Sequence, residues 1–167
     1  SNGTLLPVGS GYIAAGTFAD GFNFGGVSTG AQLAAAFNQF GNAGQVPEFA
    51  GLITYDASAP LSDGDGFVGS TIYAVIGNGA TLADSSDALV FNTGTTFGAD
   101  HPVFAGAADL SAATQAQVPI GVVGGTINQP DFGADIGKLE LAIVPEPSSA
   151  LFLLGGLGSL LFVRRRR

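Results

Sequence analysis

Apolar residues in residues 1–144 fall into short runs that turn-forming residues separate. The strand-like runs cover residues 12–18, 46–55, 67–76, 88–93, 118–128 and 138–144. Short runs bounded by Gly, Pro, Asn and Asp are typical of β-strands. Asn78-Gly79 is a strong hairpin signal, and residues 138–143 alternate apolar and polar residues, as in a strand with one face in water. The pattern predicts a mainly β fold.

One segment has a helical period instead. Its apolar residues at positions i, i+3, i+4 and i+7 are Leu33, Ala36, Phe37 and Phe40. Thr29 and Gln32 are spaced as a capping box, and Gly41 is placed to end the helix. We therefore predict an antiparallel β-sandwich or jelly roll with one short amphipathic helix, whose Phe-bearing face packs on the sheet.

Charge is distributed very unevenly along the chain. Residues 1–144 hold twelve of the thirteen acidic residues and one basic residue, Lys138, so their formal charge is −11. An acidic body with a single Lys cannot neutralise phosphates, which excludes nucleic acid as a partner. The chain has no Cys, so disulfides and thiolate chemistry are excluded as well. Residues 1–4 show no secretory leader, and export would need a signal peptide that precedes this numbering.

The last residues form three consecutive segments. Pro145, Glu146 and Pro147 predict an extended connector, because proline lacks the amide donor and disfavours helix in the residue before it. A predicted membrane helix follows, with the apolar residues Ala150, Leu151, Phe152, Leu153, Leu154, Leu157, Leu160, Leu161, Phe162 and Val163. Its apolar run is about 21 Å long, short of the roughly 30 Å hydrocarbon core unless the flanking residues extend it. A basic cluster ends the chain and predicts a cytoplasmic C-terminus, at Arg164, Arg165, Arg166 and Arg167.

This constellation resembles the PEP-CTERM sorting signal, in which a Pro-Glu-Pro motif precedes a short apolar helix and an Arg cluster. The resemblance implies recognition by exosortase, a membrane-embedded transpeptidase-like enzyme, with cleavage near the motif. It also implies an inner-membrane-anchored precursor that reaches the cell surface or the extracellular matrix, in bacteria that make exopolysaccharide and biofilm. Residues 16–22 are loosely similar to other PEP-CTERM ectodomains. The alternatives are a plain membrane anchor and a buried C-terminal helix, and the latter is disfavoured because the run is apolar on all faces and four Arg follow it.

We accordingly expect two parts, an extracellular β-rich domain at 1–144 and a sorting signal at 145–167. The body is expected to be structural or adhesive and not an enzyme. A self-assembling filament or matrix subunit is one alternative, since low charge and strand edges favour self-association. Exopolysaccharide is the other candidate partner besides exosortase. A calcium- or glycan-binding module and a polysaccharide hydrolase remain further alternatives, although the absence of Trp weakens glycan binding.

Several motifs in residues 1–144 are candidate functional sites. Asp63 and Asp65, joined by Asp56, Asp84 or Asp87, are the candidate Ca²⁺ ligands, and otherwise no cofactor or metal is expected. Residues 26–30 match G-x-S-x-G, but a body with one helix lacks the parallel sheet of that hydrolase class, so helix capping by Ser28 or Thr29 is the favoured interpretation. Residues 64–69 match G-x-G-x-x-G, but a strand follows, which favours a turn. His101 is the only histidine and predicts no zinc site.

Overall fold

The computed structural model describes residues 6–46, 65–98, 113–129 and 134–143. Within these ranges the chain is mainly β, with one short α-helix, α1 (Gly30–Ala36). The strands are β1 (Tyr12–Thr17), β2 (Asn38–Gly44), β3 (Thr71–Gly77), β4 (Asp87–Thr96), β5 (Val122–Gln129), β6 (Ala134–Glu140) and β7 (Ala142–Ile143). Turns of 3-10 helix occur at Phe24–Gly26 and Gln115–Gln117.

The main sheet is antiparallel, with the strand order β2-β1-β3-β4-β7. Its central strand is β3, where Gly77 lies opposite Tyr12 of β1 on one side and Ala88 of β4 on the other. β5 and β6 form a separate antiparallel pair. The prediction of a mainly β, antiparallel fold with one helix is therefore confirmed for the described residues.

Both faces of the main sheet are buried at β1, β3 and the first half of β4, whereas the edge strand β2 is mostly exposed. The helix-side core comprises Tyr12, Ala14, Phe18, Leu33, Phe37, Val75, Leu82, Ala88 and Val90. The far-side core comprises Ile13, Val46, Ile76, Leu89, Phe91 and Val118. Side chains alternate between the faces of a strand, so Ala88 and Val90 point to one core while Leu89 and Phe91 point to the other. This double burial explains the unbroken apolar run at residues 88–91 of β4.

The helix is shorter than its apolar period predicted. It ends at Ala36, and the Phe37 N–H donates to the Leu33 carbonyl as the C-terminal cap. Leu33 and Phe37 pack in the helix-side core as expected, but the placement of Phe40 on the helix was wrong. Phe40 lies in β2, because pairing with β1 takes over from Asn38 onward, and Gly41 lies inside that strand with a φ of 66° instead of ending the helix.

The strand predictions were right for β1, β3, β4 and β5 to within a few residues. β2 was missed, because its polar and Gly-rich sequence has no apolar alternation. Of the run predicted at 46–55, only Val46 lies among the described residues. The run at 138–144 is not one strand but supplies the end of β6 and all of β7, since Leu141 between them packs on the far-side core. Residue 144 lies outside the described ranges.

The hairpin predicted at Asn78-Gly79 exists, but its loop is longer than expected. β3 and β4 pair antiparallel, and residues 78–86 connect them. Gly79 is not among the described glycines with positive φ, which a two-residue type I′ turn would require. Across the described ranges, no helix is long and apolar enough to span a membrane.

Candidate functional site

The short strand β7 attaches the C-terminal end of the described chain to the edge of the main sheet. Ala142 lies opposite Ala88, and Ile143 lies opposite Asp87. Leu141, immediately before β7, packs against the far-side core. Ala88 is itself fully buried, so β7 pairs with a well-anchored part of β4. The sheet thereby fixes where the backbone of residue 143 lies.

Asp87, the partner of Ile143, is held by Asn78 at the other end of the β3–β4 loop. The Asn78 N–H donates to the Asp87 carbonyl at 3.1 Å. The Asp87 N–H donates to Asn78 Oδ1 at 3.0 Å, and Asn78 Nδ2 donates to Asp87 Oδ2 at 2.8 Å. These three hydrogen bonds close the loop, and we call them the Asn78–Asp87 clamp.

The interior of this loop is organised by Ser85, which is only 2% exposed. Its hydroxyl donates to the Thr81 carbonyl at 2.9 Å and accepts from the Gly79 N–H at 3.0 Å. A side chain on Gly79 would meet the backbone of Asp84 at 2.7–2.8 Å. The loop therefore needs glycine there for close backbone approach, rather than for an unusual φ.

The described candidate Ca²⁺ ligands have roles in local hydrogen bonding. Asp84 Oδ2 accepts from Thr81 Oγ1 at 2.7 Å, and Asp87 Oδ2 accepts from Asn78 and from Ser86 Oγ at 3.0 Å. Asp65 is exposed, and its carbonyl accepts from Asn38 Nδ2 at 3.4 Å. Asp56 and Asp63 lie outside the described residues. In the described ranges no group of three His, Cys, Asp or Glu side chains could hold a metal, and calcium binding stays a prediction.

The G-x-S-x-G segment is a helix start. Thr29 Oγ1 accepts from the Gln32 N–H at 3.0 Å and is the N-terminal cap of α1. Gln32 Oε1 accepts from the N–H and the hydroxyl of Ser28, at 2.9 and 3.0 Å, instead of from the Thr29 N–H that a regular capping box uses. Capping by Thr29 is therefore confirmed, whereas the Ser28 hydroxyl donates to the Gln32 side chain and caps no helix N–H. His101 lies outside the described residues.

The described part of the G-x-G-x-x-G segment is a turn that enters β3, as predicted. Gly66 and Gly69 have φ values of 74° and 78°, which favour glycine. Ser70 Oγ donates to the Gly66 carbonyl at 2.9 Å, and the Gly69 N–H donates to the Phe97 carbonyl at 2.9 Å. Hydrogen bonds within the chain thus occupy groups that a phosphate-binding loop would leave for its ligand.

Sequence reasoning missed an aromatic cluster above the helix-side core. Phe18 lies at its centre, with ring centroids 4.9–5.2 Å from those of Phe22, Phe24, Phe37 and Tyr73. Beside it lies a shallow depression of about 350 Å³, lined by Phe22, Asn23, Gly26, Val27 and Gln32. The spacing of Phe18, Phe22 and Phe24 around a Gly-rich turn was the available signal. The cluster closes one face of the sheet.

Comparison with known proteins identifies the C-terminal segment. The family model of the PEP-CTERM protein-sorting motif matches residues 144–167. The match includes Pro145, Glu146 and Pro147, the apolar run and the Arg cluster, all of which lie outside the described residues. No curated protein and no solved structure matches the chain. The chain thus carries a PEP-CTERM protein-sorting motif, the mark of an exported protein that is sorted by exosortase.

Proposed function

We propose that residues 1–144 form a non-enzymatic structural or adhesive module of the cell surface or the extracellular biofilm matrix. The observation that carries the proposal is the PEP-CTERM motif, whose match begins one residue after β7. A protein sorted in this way reaches the outside as its folded body. The precursor enters export through a signal peptide and is held in the inner membrane by the apolar run until exosortase acts.

Packing supports a structural role for the body. The central strands of the main sheet are buried on both faces, and Val123 and Leu139 of the β5–β6 pair pack on the far-side core. These contacts support a sandwich-like arrangement in which the β5–β6 pair is the second layer. A sheet whose central strands are buried on both faces is a stable scaffold, and its loops and edges can make contacts with partners.

The hydrogen bonds of the hydroxyl and carboxylate side chains around α1 and the β3–β4 loop support a non-enzymatic role. Thr29 caps α1, and the Ser28 hydroxyl donates to the Gln32 side chain. Ser85 organises the β3–β4 loop, and Asp84 and Asp87 accept hydrogen bonds within that loop. A nucleophile or general base has to be aimed at a bound substrate instead. Neither a cofactor nor a metal is needed for the role proposed.

Removal of the tail also changes the charge of the protein. The four Arg of the chain are all in the matched segment, and residues 1–144 alone carry a formal charge of −11. Such a body repels other anions and favours neutral polymers or cation-bridged contacts. We therefore propose that its partner in the matrix is exopolysaccharide or another surface protein, not nucleic acid.

Sorting can be tested by following the tail. Residues 144–167 are fused to a secreted reporter and expressed in an exosortase-positive strain and in its exosortase deletion. We expect the reporter to lose the tail in the first strain and to stay in the inner membrane in the second. A Pro145→Ala, Glu146→Ala, Pro147→Ala triple variant is the matched control. Identical processing in both strains would refute sorting.

The role of the body is tested separately. Residues 1–143 are exchanged for an unrelated folded domain of similar size, with the sorting tail unchanged. We expect the hybrid to be processed normally but to lose adhesion and matrix retention. If the hybrid supports the same biofilm mass as the natural protein, the body has no structural or adhesive role there.

A further inference from the structure

The dipeptide Asn78-Gly79 places an amide side chain next to a backbone nitrogen that can attack it. When the Gly79 nitrogen forms a bond to Asn78 Cγ, the Nδ2 group leaves as ammonia and takes the proton of the Gly79 N–H. Water then opens the resulting cyclic imide and leaves aspartate or isoaspartate. Glycine favours the reaction, because it has no side chain to hinder the attack and its backbone is the least restricted.

The fold requires both members of this reactive pair. A Cβ on Gly79 would meet backbone atoms of Asp84 and Ser85 at 2.7–2.9 Å, so a larger residue would displace the loop. Asn78 closes the loop by donating through Nδ2 and accepting through Oδ1, and a carboxylate at this position would lack the donor. Packing and hydrogen bonding therefore keep a reactive dipeptide between two interior strands of the main sheet.

In the closed loop, the attacking nitrogen and the amide are both held in other contacts. The Gly79 N–H donates to Ser85 Oγ at 3.0 Å, and this hydrogen bond is lost when the nitrogen gives up its proton. Asn78 Oδ1 accepts from the Asp87 N–H at 3.0 Å, while Nδ2 donates to Asp87 Oδ2 at 2.8 Å and to Ser86 Oγ at 3.0 Å. The amide is thus held toward the start of β4, and attack requires these contacts to break.

We propose that Asn78 is a self-deamidation site that the closed β3–β4 loop protects and that reacts when the loop opens. Local opening of a surface loop requires less free energy than global unfolding. When opening is fast relative to the chemical step, the rate follows the fraction of molecules with an open loop. Water is the only co-reactant, so the reaction needs no enzyme or cofactor and does not depend on sorting by exosortase.

Deamidation makes the opening permanent. An aspartate replaces the Nδ2 donor with a carboxylate oxygen that faces Asp87 Oδ2, so a hydrogen bond is lost and two like charges meet. An isoaspartate also lengthens the main chain by a carbon atom, where the Asn78 N–H now donates to the Asp87 carbonyl. Because hydrolysis of the imide does not restore the amide, an exported body that persists outside the cell accumulates the open form with age.

The first experiment measures deamidation at Asn78 by mass spectrometry of the full chain, kept in mildly alkaline buffer with detergent. Chymotryptic peptides separate this site from the other Asn-Gly pair, Asn2-Gly3. The same chain unfolded in urea gives the rate without the loop. We expect the folded chain to react at least about twentyfold more slowly, because two side-chain hydrogen bonds to Asp87 must break and each corresponds to about a fivefold change in open fraction. Equal rates in the two states would overturn the proposal.

Ser85→Ala and its matched control Ser70→Ala distinguish loop opening from general unfolding. Each substitution removes a hydroxyl that donates at 2.9 Å to the carbonyl four residues earlier. Only the Ser85 hydroxyl also accepts from the Gly79 N–H. We expect Ser85→Ala to raise the deamidation rate at Asn78 at least about fivefold. Ser70→Ala should leave that rate unchanged, and the same rate in both variants would contradict protection by the loop.

Asn78→Asp tests whether the product keeps the loop open. Amide hydrogen exchange is measured at Gly79 in the loop and at Val75 and Val90, which are fully buried in β3 and β4. We expect exchange at Gly79 to become about fivefold faster, while the two valines keep their protection. The same protection at the valines shows that the Ser85→Ala chain is folded. Unchanged exchange at Gly79 would mean that the loop closes without the amide, and deamidation would then not make the opening permanent.

Asn23→Asp is the control for the added charge in this exchange measurement. Asn23 is exposed, and its Oδ1 accepts from the Gly25 N–H at 3.1 Å, a contact that an aspartate keeps. We expect this variant to exchange at Gly79 as the natural chain does. Faster exchange at Gly79 in both variants would assign the effect to net charge and would refute the role of the Asn78 amide.

Discussion

The two faces of the main sheet are sealed in different ways. The helix-side core is covered mainly by one stretch of chain, residues 18–37, which contributes the aromatic cluster and α1. The far-side core is covered by side chains from separate segments. These are Leu6, Val46, Ala113, Val118, Val123, Leu139 and Leu141. One face is thus closed by local structure and the other by contacts between distant parts of the chain.

This difference has a functional consequence. Leu141 belongs to the cover of the far-side core and directly precedes β7, so that face is connected to the start of the sorting motif. The helix-side cover has no such connection among the described residues. Damage to either face should destabilise the fold, but only damage to the far side should change how the motif is presented to exosortase.

The largest effect is expected from Phe18→Ala on the helix side. Phe18 is 5% exposed and contacts four other aromatic rings, so truncation leaves a cavity at the centre of the cluster. We expect the free energy of unfolding to fall by about 4 kcal/mol. Urea denaturation measures the loss. Phe18→Leu, which keeps most of the volume, should lose less than half as much, and equal losses would show that the cluster is not tightly packed.

Leu89→Ala tests the far side. Leu89 is 1% exposed and packs beneath the cover that includes Leu141, so we expect a loss of about 3 kcal/mol. Tail removal is then measured in Leu89→Ala and Phe18→Ala, each at the temperature that gives the two variants the same free energy of unfolding. Leu89→Ala should accelerate removal more than Phe18→Ala does. Equal acceleration would show that processing responds to overall stability and not to the far side.

The same division between local contacts and contacts of distant segments explains which elements the sequence predicts. α1, its Thr29 cap and the strands β1, β3 and β4 were predicted because each is marked by its own residues, either a period of apolar positions or a capping hydroxyl. The sorting motif was predicted for the same reason, since its three parts are consecutive. These features depend on interactions over a few residues.

Features that depend on distant partners were missed. β2 has a polar sequence and forms because β1 pairs with it. The spacing of Phe40 fits a helix, and only the pairing with β1 shows that it lies in a strand. The Asn78–Asp87 clamp joins residues nine positions apart, whereas Asn78-Gly79 alone predicts a tight turn. The Asn, Asp and Ser content of residues 78–87 was the available signal for a side-chain-bonded loop.

Gly16→Ala tests the close packing of β1 against Phe37 and β2, and its expected effect on stability is smaller. A Cβ on Gly16 would overlap the Asn38 carbonyl oxygen and approach the Phe37 ring at 2.6–2.7 Å. Phe37 or β2 would have to move, and we expect a loss of about 2 kcal/mol by urea denaturation. Gly98→Ala is the control, because nothing lies within 4 Å of its added Cβ. If both variants keep the stability of the natural chain, Phe37 is not closely packed on β1.

The smallest effect is expected from Thr29→Ala, which removes the cap of α1 and leaves the packed side chains in place. The hydroxyl satisfies the Gln32 N–H, and α1 has only seven residues, so the lost hydrogen bond weakens a large part of the helix. We expect about 1 kcal/mol less stability by urea denaturation, while Thr29→Ser should retain most of it. Because α1 covers only the helix side, tail removal should stay at its natural rate. A faster rate in Thr29→Ala, but not in Thr29→Ser, would mean that the helix-side cover is coupled to β7 through the sheet, and the two faces would then act as one unit.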